Sequence, residues 1–194
     1  MELTLDLNRT YTYEDYLTWF DDVRRELIDG FIKFLPAPRA KHAVISYNIS
    51  WNLGAILKKN PCNCQVFYAP FDVRLPKNGE KAYNKIDTVV QPDICVVCDL
   101  SKIDERGCVG APDMIVEILS PSTAKKDITE KFALYERSGV KEYWIVHPDS
   151  KAVVVYLLQE DGKYNEGTVY EFGGSIPVHV FDDYPIDWND IFQA

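Results

Sequence analysis

The order of elements in this 194-residue chain predicts a mixed sheet with interspersed helices, an α/β or α+β arrangement. Three observations carry that expectation. Asp29-Gly30 separates two short apolar runs, a strong hairpin signal. Apolar residues recur at helical spacing between Ala40 and Lys59. Two further runs, Val89-Val90-Gln91-Pro92-Asp93-Ile94-Cys95-Val96-Val97 and Met114-Ile115-Val116-Glu117-Ile118-Leu119, read as core strands, and each carries one acid.

In chain order, Thr12 is placed to cap a short helix, with Asp15 three residues on in the manner of a capping box. Strands over 25–28 and 31–35 flank the Asp29-Gly30 turn, and Pro36 and Pro38 end that hairpin. The helix over 40–59 turns Ile45, Ile49, Asn52, Leu53 and Ile56 to one face and closes at Pro61. A strand is expected over 66–75, then a polar loop over 76–85 with Asn78-Gly79 at its tip. After the two acid-bearing strands comes a helix over 123–138, capped by Ser122 or Thr123 and stopped by Gly139. Strands over 141–147 and 152–158 flank Pro148-Asp149-Ser150, Asp161-Gly162 marks a turn, and the tail over 178–194 packs as a cap.

Length and composition fit one domain over 1–194, with no repeat and no low-complexity tract. No run approaches the roughly 18 apolar residues that span a bilayer, and the N-terminus lacks the basic-then-apolar layout of a signal peptide. A soluble, cytoplasmic protein is expected. Five cysteines at these spacings suggest no disulfide framework, in keeping with a reduced compartment. Cys95 and Cys98 form a C-x-x-C, but three residues apart on a strand they face opposite sides, which argues against zinc. The net charge of −9 counts against non-specific nucleic-acid binding, which rests on cations displacing counterions from phosphate.

The two strand acids carry the chemistry. An ionised carboxylate in a core loses several kcal/mol of hydration unless a cation, a metal ion or dense hydrogen bonding compensates. Alternation places Asp93 with Cys95 and Val97, and Glu117 with Ile115 and Leu119, so on neighbouring strands the two carboxylates converge. One or two carboxylates plus water are what Mg²⁺ accepts, and such an ion lowers the pKa of bound water and stabilises charge on a phosphate. On the following helix Ile128, Phe132 and Tyr135 form the apolar stripe; Lys131 falls about 60° from Ile128, at its edge, with Lys125 at the opposite edge. A lysine beside two acids can hold the attacking water or stabilise the transition state. The bland alternative is an i,i+4 pair with Asp127, worth about 0.2–0.5 kcal/mol. Glu26 is a third acid, able to reach the site or to stand on a strand surface.

Five motifs follow one another between about 26 and 147: Glu26-Leu27-Ile28-Asp29-Gly30, Pro70-Phe71-Asp72-Val73-Arg74-Leu75, Gln91-Pro92-Asp93, Val116-Glu117-Ile118-Leu119-Ser120-Pro121-Ser122-Thr123, and Gly139-Val140-Lys141-Glu142-Tyr143-Trp144-Ile145-Val146. In these the chain resembles the Uma family of proposed restriction endonucleases, and more broadly the PD-(D/E)XK nuclease superfamily. Pro92-Asp93 stands as the PD, and Glu117-Ile118-Leu119 as the acid-x-Lys with Leu119 in the lysine's place. The resemblance implies a restriction-endonuclease-like α/β fold: a central mixed sheet flanked by helices, with an added N-terminal hairpin and C-terminal strands. It implies DNA cleavage dependent on Mg²⁺ or Mn²⁺, Asp93 and Glu117 as ligands, Glu26 as an additional acid, and a lysine moved to the next helix, Lys131 before Lys125. Superfamily members commonly act as dimers, so a homodimer is expected.

Other residues read more simply. His42, His147 and His179 stand apart from each other and from the acids, as surface or satisfied core histidines. Ser120 and Ser122 lack a Gly-x-Ser-x-Gly setting. Tyr143 to Val146 reads as a core strand, and Arg24, Arg25, Arg39 and Lys41 as phosphate contacts or as a solvated face. Against the nuclease stands a different class, a non-catalytic interaction module that keeps the fold and binds through its acidic surface. A nuclease for RNA or branched DNA would share the same site.

Overall fold

The computed structural model describes residues 5–120 and 124–193, without the side chains of 78 and 124–127. Thr12 caps α1 (Tyr13–Tyr16): its hydroxyl accepts from the Asp15 N–H while the Asp15 carboxylate accepts from the Thr12 N–H at 2.9 Å. β1 (Arg25–Ile28) and β2 (Phe31–Phe34) form the expected hairpin. Its turn residues both take positive φ, 51° at Asp29 and 83° at Gly30, which these two residue types adopt at low cost. α2 (Ala40–Lys59) has the expected bounds and buries Ile45, Ile49, Leu53 and Ile56.

The strand expected over 66–75 is two strands in different sheets, β3 (Gln65–Tyr68) and β4 (Val73–Arg74). The run 89–97 divides in the same way into β5 (Val89–Val90) and β6 (Ile94–Val97). Pro70 and Pro92 stand in the two breaks; each lacks the N–H that a continuous ladder would need. The chain therefore crosses between sheets at 69–72 and again at 91–93. The crossings touch, the Ala69 N–H donating to the Asp93 carbonyl at 3.1 Å.

The remaining elements are β7 (Ile103–Asp104), β8 (Gly107–Val109), β9 (Met114–Ile118), α3 (Ala124–Ser138), β10 (Glu142–His147), β11 (Ala152–Leu157), β12 (Thr168–Tyr170), β13 (Ser175–Val178), β14 (Tyr184–Asp187) and α4 (Trp188–Phe192). One sheet has the order β12-β11-β10-β9-β6-β3, the other β2-β1-β5-β4-β8-β7. In the first, β9 and β10 run parallel with α3 as their crossover, and the other pairs are antiparallel. α3 ends where Gly139, at φ 87°, donates its N–H to the Tyr135 carbonyl. The Ser122 or Thr123 cap expected at its start lies outside the described residues.

Alternation sorts the first sheet into two faces. Ile94, Val96, Met114, Val116 and Ile118 pack with α2, and Cys95, Val97, Ile115, Tyr143 and Ile145 pack with Leu134 and Tyr135 of α3. The tail does more than cap the molecule: β13, β14 and α4 place Ile176, Ile186 and Ile191 in the α2-side core. Asn48 on α2 fixes that tail by donating to the carbonyls of Ile191 and Gln193, each at 3.1 Å.

The cysteine expectation needs correction. Cys64 and Cys98 form a disulfide, because the β3–β6 register that pairs Gln65 with Val97 sets positions 64 and 98 opposite one another. Sequence spacing cannot show that adjacency. Cys95 and Cys98 do face opposite sides, Cys95 within the α3-side core and Cys98 against the α2-side core. Among the described residues no helix is long and apolar enough to cross a membrane.

Candidate active site

The crossing between sheets at 91–93 positions the site. β6 pairs with β9 so that Ile94 lies opposite Val116, and the same register carried one residue further sets Asp93 opposite Glu117. Asp93 thus stands at the mouth of its strand, half-buried, where Oδ2 accepts from the Ile118 N–H at 2.7 Å and lies 3.1 Å from His42 Nε2. His42 comes from the first turn of α2, so three elements meet at this one oxygen.

The other half of the site is built around Lys131 of α3. Its ammonium donates at 2.9 Å to Glu26 Oε1 of β1 and at 2.9 Å to Glu117 Oε1 of β9. Tyr135, one turn on, donates to the same Glu117 oxygen at 2.6 Å. Glu26 Oε1 also accepts from the Gln91 N–H at 2.7 Å, tying it to the crossing. Gln91 in turn donates through Nε2 to Asp72 at 2.9 Å and accepts from Arg24 at 3.1 Å.

Glu26, Asp93, Glu117 and Lys131 are therefore brought together from β1, the 91–93 crossing, β9 and α3, as the sequence predicts for Asp93, Glu117 and Lys131 and leaves open for Glu26. Glu26 is not a surface strand residue; its side chain is 2 % exposed. Lys131 pairs with the strand acids, and the Asp127 side chain of the bland alternative lies outside the described residues, as does that of Lys125. His42 is not isolated from the acids, and Tyr135 is more than an apolar stripe residue. Tyr135 was legible as the i+4 neighbour of Lys131; nothing local marks His42, which reaches Asp93 only through the packing of α2 on the sheet. Arg25 is buried against Asp21, and Lys41 pairs with Asp149 at 3.2 Å.

Burial pushes Glu117 up to about 7; the Lys131 charge opposes this, and the Asp93 and Glu26 charges add to it. Burial alone would depress Lys131, but the attraction of Glu117 and Glu26 outweighs it and drives the lysine upward, so the ammonium stays charged. For His42 burial lowers the value, and the bond to Asp93 with the charges of Asp93 and Glu117 more than reverses that. Lys131 balances one charge of the Glu26–Glu117 pair it bridges, and Asp93 has only the imidazole of His42, so the site holds more acids than permanent cations.

That excess fits a hard divalent cation. Asp93 keeps Oδ1 and Glu117 keeps Oε2 beyond the bonds already described, and Mg²⁺ is held by one or two carboxylates with water completing its shell. Among the described residues no group of three or more His, Cys, Asp or Glu side chains is arranged to hold a metal ion.

The acids lie in an open cleft of about 1140 Å³, walled by β2, the N-terminal half of α2 and the segment after β10. Its charge is mixed. Lys33 and Lys41 are held by Glu130 and Asp149, while Arg24 is bonded to the neutral Gln91 and Arg39 stands exposed at the start of α2.

Residues 13–187 match the model of the Uma2 family, described as "Putative restriction endonuclease". The chain belongs to the Uma2 family. An uncharacterized protein of Synechocystis sp. is 27 % identical over 154 residues, covering 78 % of this chain and 76 % of that one. Among solved structures, the Uma2 chain is similar to a "putative nuclease belonging to DUF820" from Anabaena variabilis, with a TM-score of 0.73 and 24 % identity over 94 % of this chain and 97 % of that one. That likeness bears out the fold expected from the motifs, a mixed sheet flanked by helices. The Uma2 model begins at Tyr13 and ends at Asp187, so it takes in every residue of the site.

Proposed function

We propose that this Uma2 protein is a divalent-metal-dependent DNA endonuclease acting as one domain, with Asp93 and Glu117 as metal ligands, Lys131 as the catalytic cation and Glu26 as the additional acid. The observation that carries this reading is the convergence of Glu26 and Glu117 on the Lys131 ammonium, with Asp93 beside them on the neighbouring strand, in the lining of one open cleft. When bound, Mg²⁺ or Mn²⁺ supplies Lewis acidity, lowering the pKa of a coordinated water and offsetting phosphate charge.

The chain's own residues do the rest. The Ile118 N–H and His42 fix the Asp93 carboxylate, and Tyr135 fixes that of Glu117. Orienting partners of this kind are worth about 10–100-fold in metal affinity or activity. In this reading Lys131, held charged between Glu26 and Glu117, orients the attacking water and stabilises the charge that develops on phosphorus-bound oxygen. Cutting both strands of a duplex takes two such sites, so a homodimer belongs to the duplex form of this reading. The cytoplasm is its compartment, where the Cys64–Cys98 bond would exchange with cellular thiols.

Isothermal titration of Mg²⁺ and Mn²⁺ into the wild type, Asp93→Ala and Glu117→Ala tests the ligand assignment. Binding to the wild type that weakens at least about tenfold in both variants supports it; equal binding by all three contradicts it. The net charge of −9 favours a second reading, a non-catalytic interaction module, which predicts no metal-dependent cleavage of any nucleic acid.

A further inference from the structure

Large aromatic side chains left in water mark interaction surfaces when they gather in one place. Four gather on the cleft that holds the acids: Phe34, Tyr47, Trp51 and Tyr68, exposed by 55, 64, 64 and 67 %. None of the four belongs to a core cluster. Tyr47 and Trp51 lie one turn apart on α2, their rings near-parallel at 27° with centroids 6.3 Å apart, so they present flat faces in tandem.

The charge of the cleft narrows what those faces receive. A groove that holds a duplex neutralises many phosphates with lysine and arginine. Here Lys33 and Lys41 are engaged by Glu130 and Asp149, and among the described residues lining the cleft the cations not held by an acid are Arg24, bonded to Gln91, and Arg39. A few cations interleaved with stacking faces is the composition of a single-strand groove, where each stacked base contributes about 1–3 kcal/mol without regard to sequence. A duplex conceals its base faces and gains nothing from such rings.

We propose that the cleft takes an unpaired DNA strand, its bases stacked on Tyr47 and Trp51 and its phosphates led past Arg24 and Arg39 to Asp93 and Glu117. This rests on the nuclease reading for its choice of nucleic acid, and it names the substrate of that site as a single strand, a flap or a locally opened duplex.

The test is fluorescence anisotropy in EDTA at fixed low salt, with a labelled oligo(dT) of about 15 nucleotides and a duplex of the same length. The single strand is expected to bind at least about tenfold tighter than the duplex, and Tyr47→Ala and Trp51→Ala each to weaken it by about 5- to 150-fold. Both side chains are exposed, so circular dichroism should show the variants folded. Duplex binding as tight as single-strand binding, no binding of either, or unchanged affinity in both variants overturns the proposal. So does light scattering that finds a wild-type dimer made monomeric by the double variant with oligonucleotide affinity unchanged, since the rings would then be a subunit interface. Because metal is absent, the two readings fail separately. Strand preference without cleavage in Mg²⁺ or Mn²⁺ would remove the nuclease and keep this inference, and duplex nicking without strand preference would do the reverse.

Discussion

Lys131 on α3 donates to Glu26 on β1 across 105 residues of sequence at 2.9 Å, with both side chains nearly buried. Its second bond, to Glu117, makes one ammonium the only cation of the described residues bonded to either acid. Replacing it by methionine keeps the stem and leaves two buried carboxylates facing each other. Breaking a buried pair in this way costs about 3–5 kcal/mol. Urea unfolding of Lys131→Met at neutral pH should show a loss of that size; a loss under about 1 kcal/mol would mean the pair is solvated and worth no more than a surface bridge.

Tyr135 and His42 are expected to act through the acids they hold. Tyr135→Phe removes the 2.6 Å bond to Glu117, and His42→Ala removes the contact with Asp93. Each should weaken Mn²⁺ binding by about tenfold with the fold retained by circular dichroism. Unchanged Mn²⁺ affinity in both would leave the two residues as packing alone.

Acid stability should report on Asp113, the residue before β9. Burial raises its carboxyl, but Lys141 at 2.7 Å and the Cys98 N–H at 2.8 Å outweigh burial and hold it below its ordinary value. A carboxylate lowered by folding contributes stability that is fully present above its unfolded value near 3.9 and is lost as pH falls through the folded one. The stability difference between the wild type and Asp113→Asn should therefore be constant from neutral pH down to about 5 and should narrow below about 4. A difference that widens on acidification would reverse the assignment.

Gly107 closes the β7–β8 turn at φ 124°, and a Cβ there would run into the backbone carbonyl of Asp72. That carbonyl already accepts from the Cys108 N–H at 2.9 Å, so it has little freedom to move. Gly107→Ala should cost about 3 kcal/mol, from backbone strain together with overpacking. Thermal denaturation within a degree of the wild type would show that the turn relaxes.

The site was legible to the extent that single residues broke local patterns. Asp93 and Glu117 stand out because acids interrupt apolar runs, and Lys131 because helical spacing puts a charge at the edge of a buried stripe. The capping box at Thr12 and the Asp29-Gly30 turn were equally local, and both are present. What escaped depends on which strands become neighbours. The runs 66–75 and 89–97 read as continuous strands because their apolar character persists across each change of sheet; only Pro70 and Pro92 hint at the breaks. The Cys64–Cys98 pairing follows from β3 lying beside β6, and the His42 contact from α2 packing across the sheet, neither of which a residue pattern encodes. The burial of Glu26 has the same origin, since β1 is brought to the crossing by pairing with β5.

The most direct test of the central claim is plasmid nicking by the purified protein in Mg²⁺ and in Mn²⁺, beside Asp93→Ala, Glu117→Ala and Lys131→Met prepared identically. Metal-dependent nicking by the wild type, stopped by EDTA and reduced at least about a hundredfold in each variant, is the predicted result. Nicking that all three variants retain, or no cleavage of supercoiled, linear or single-stranded DNA in either metal, would contradict it.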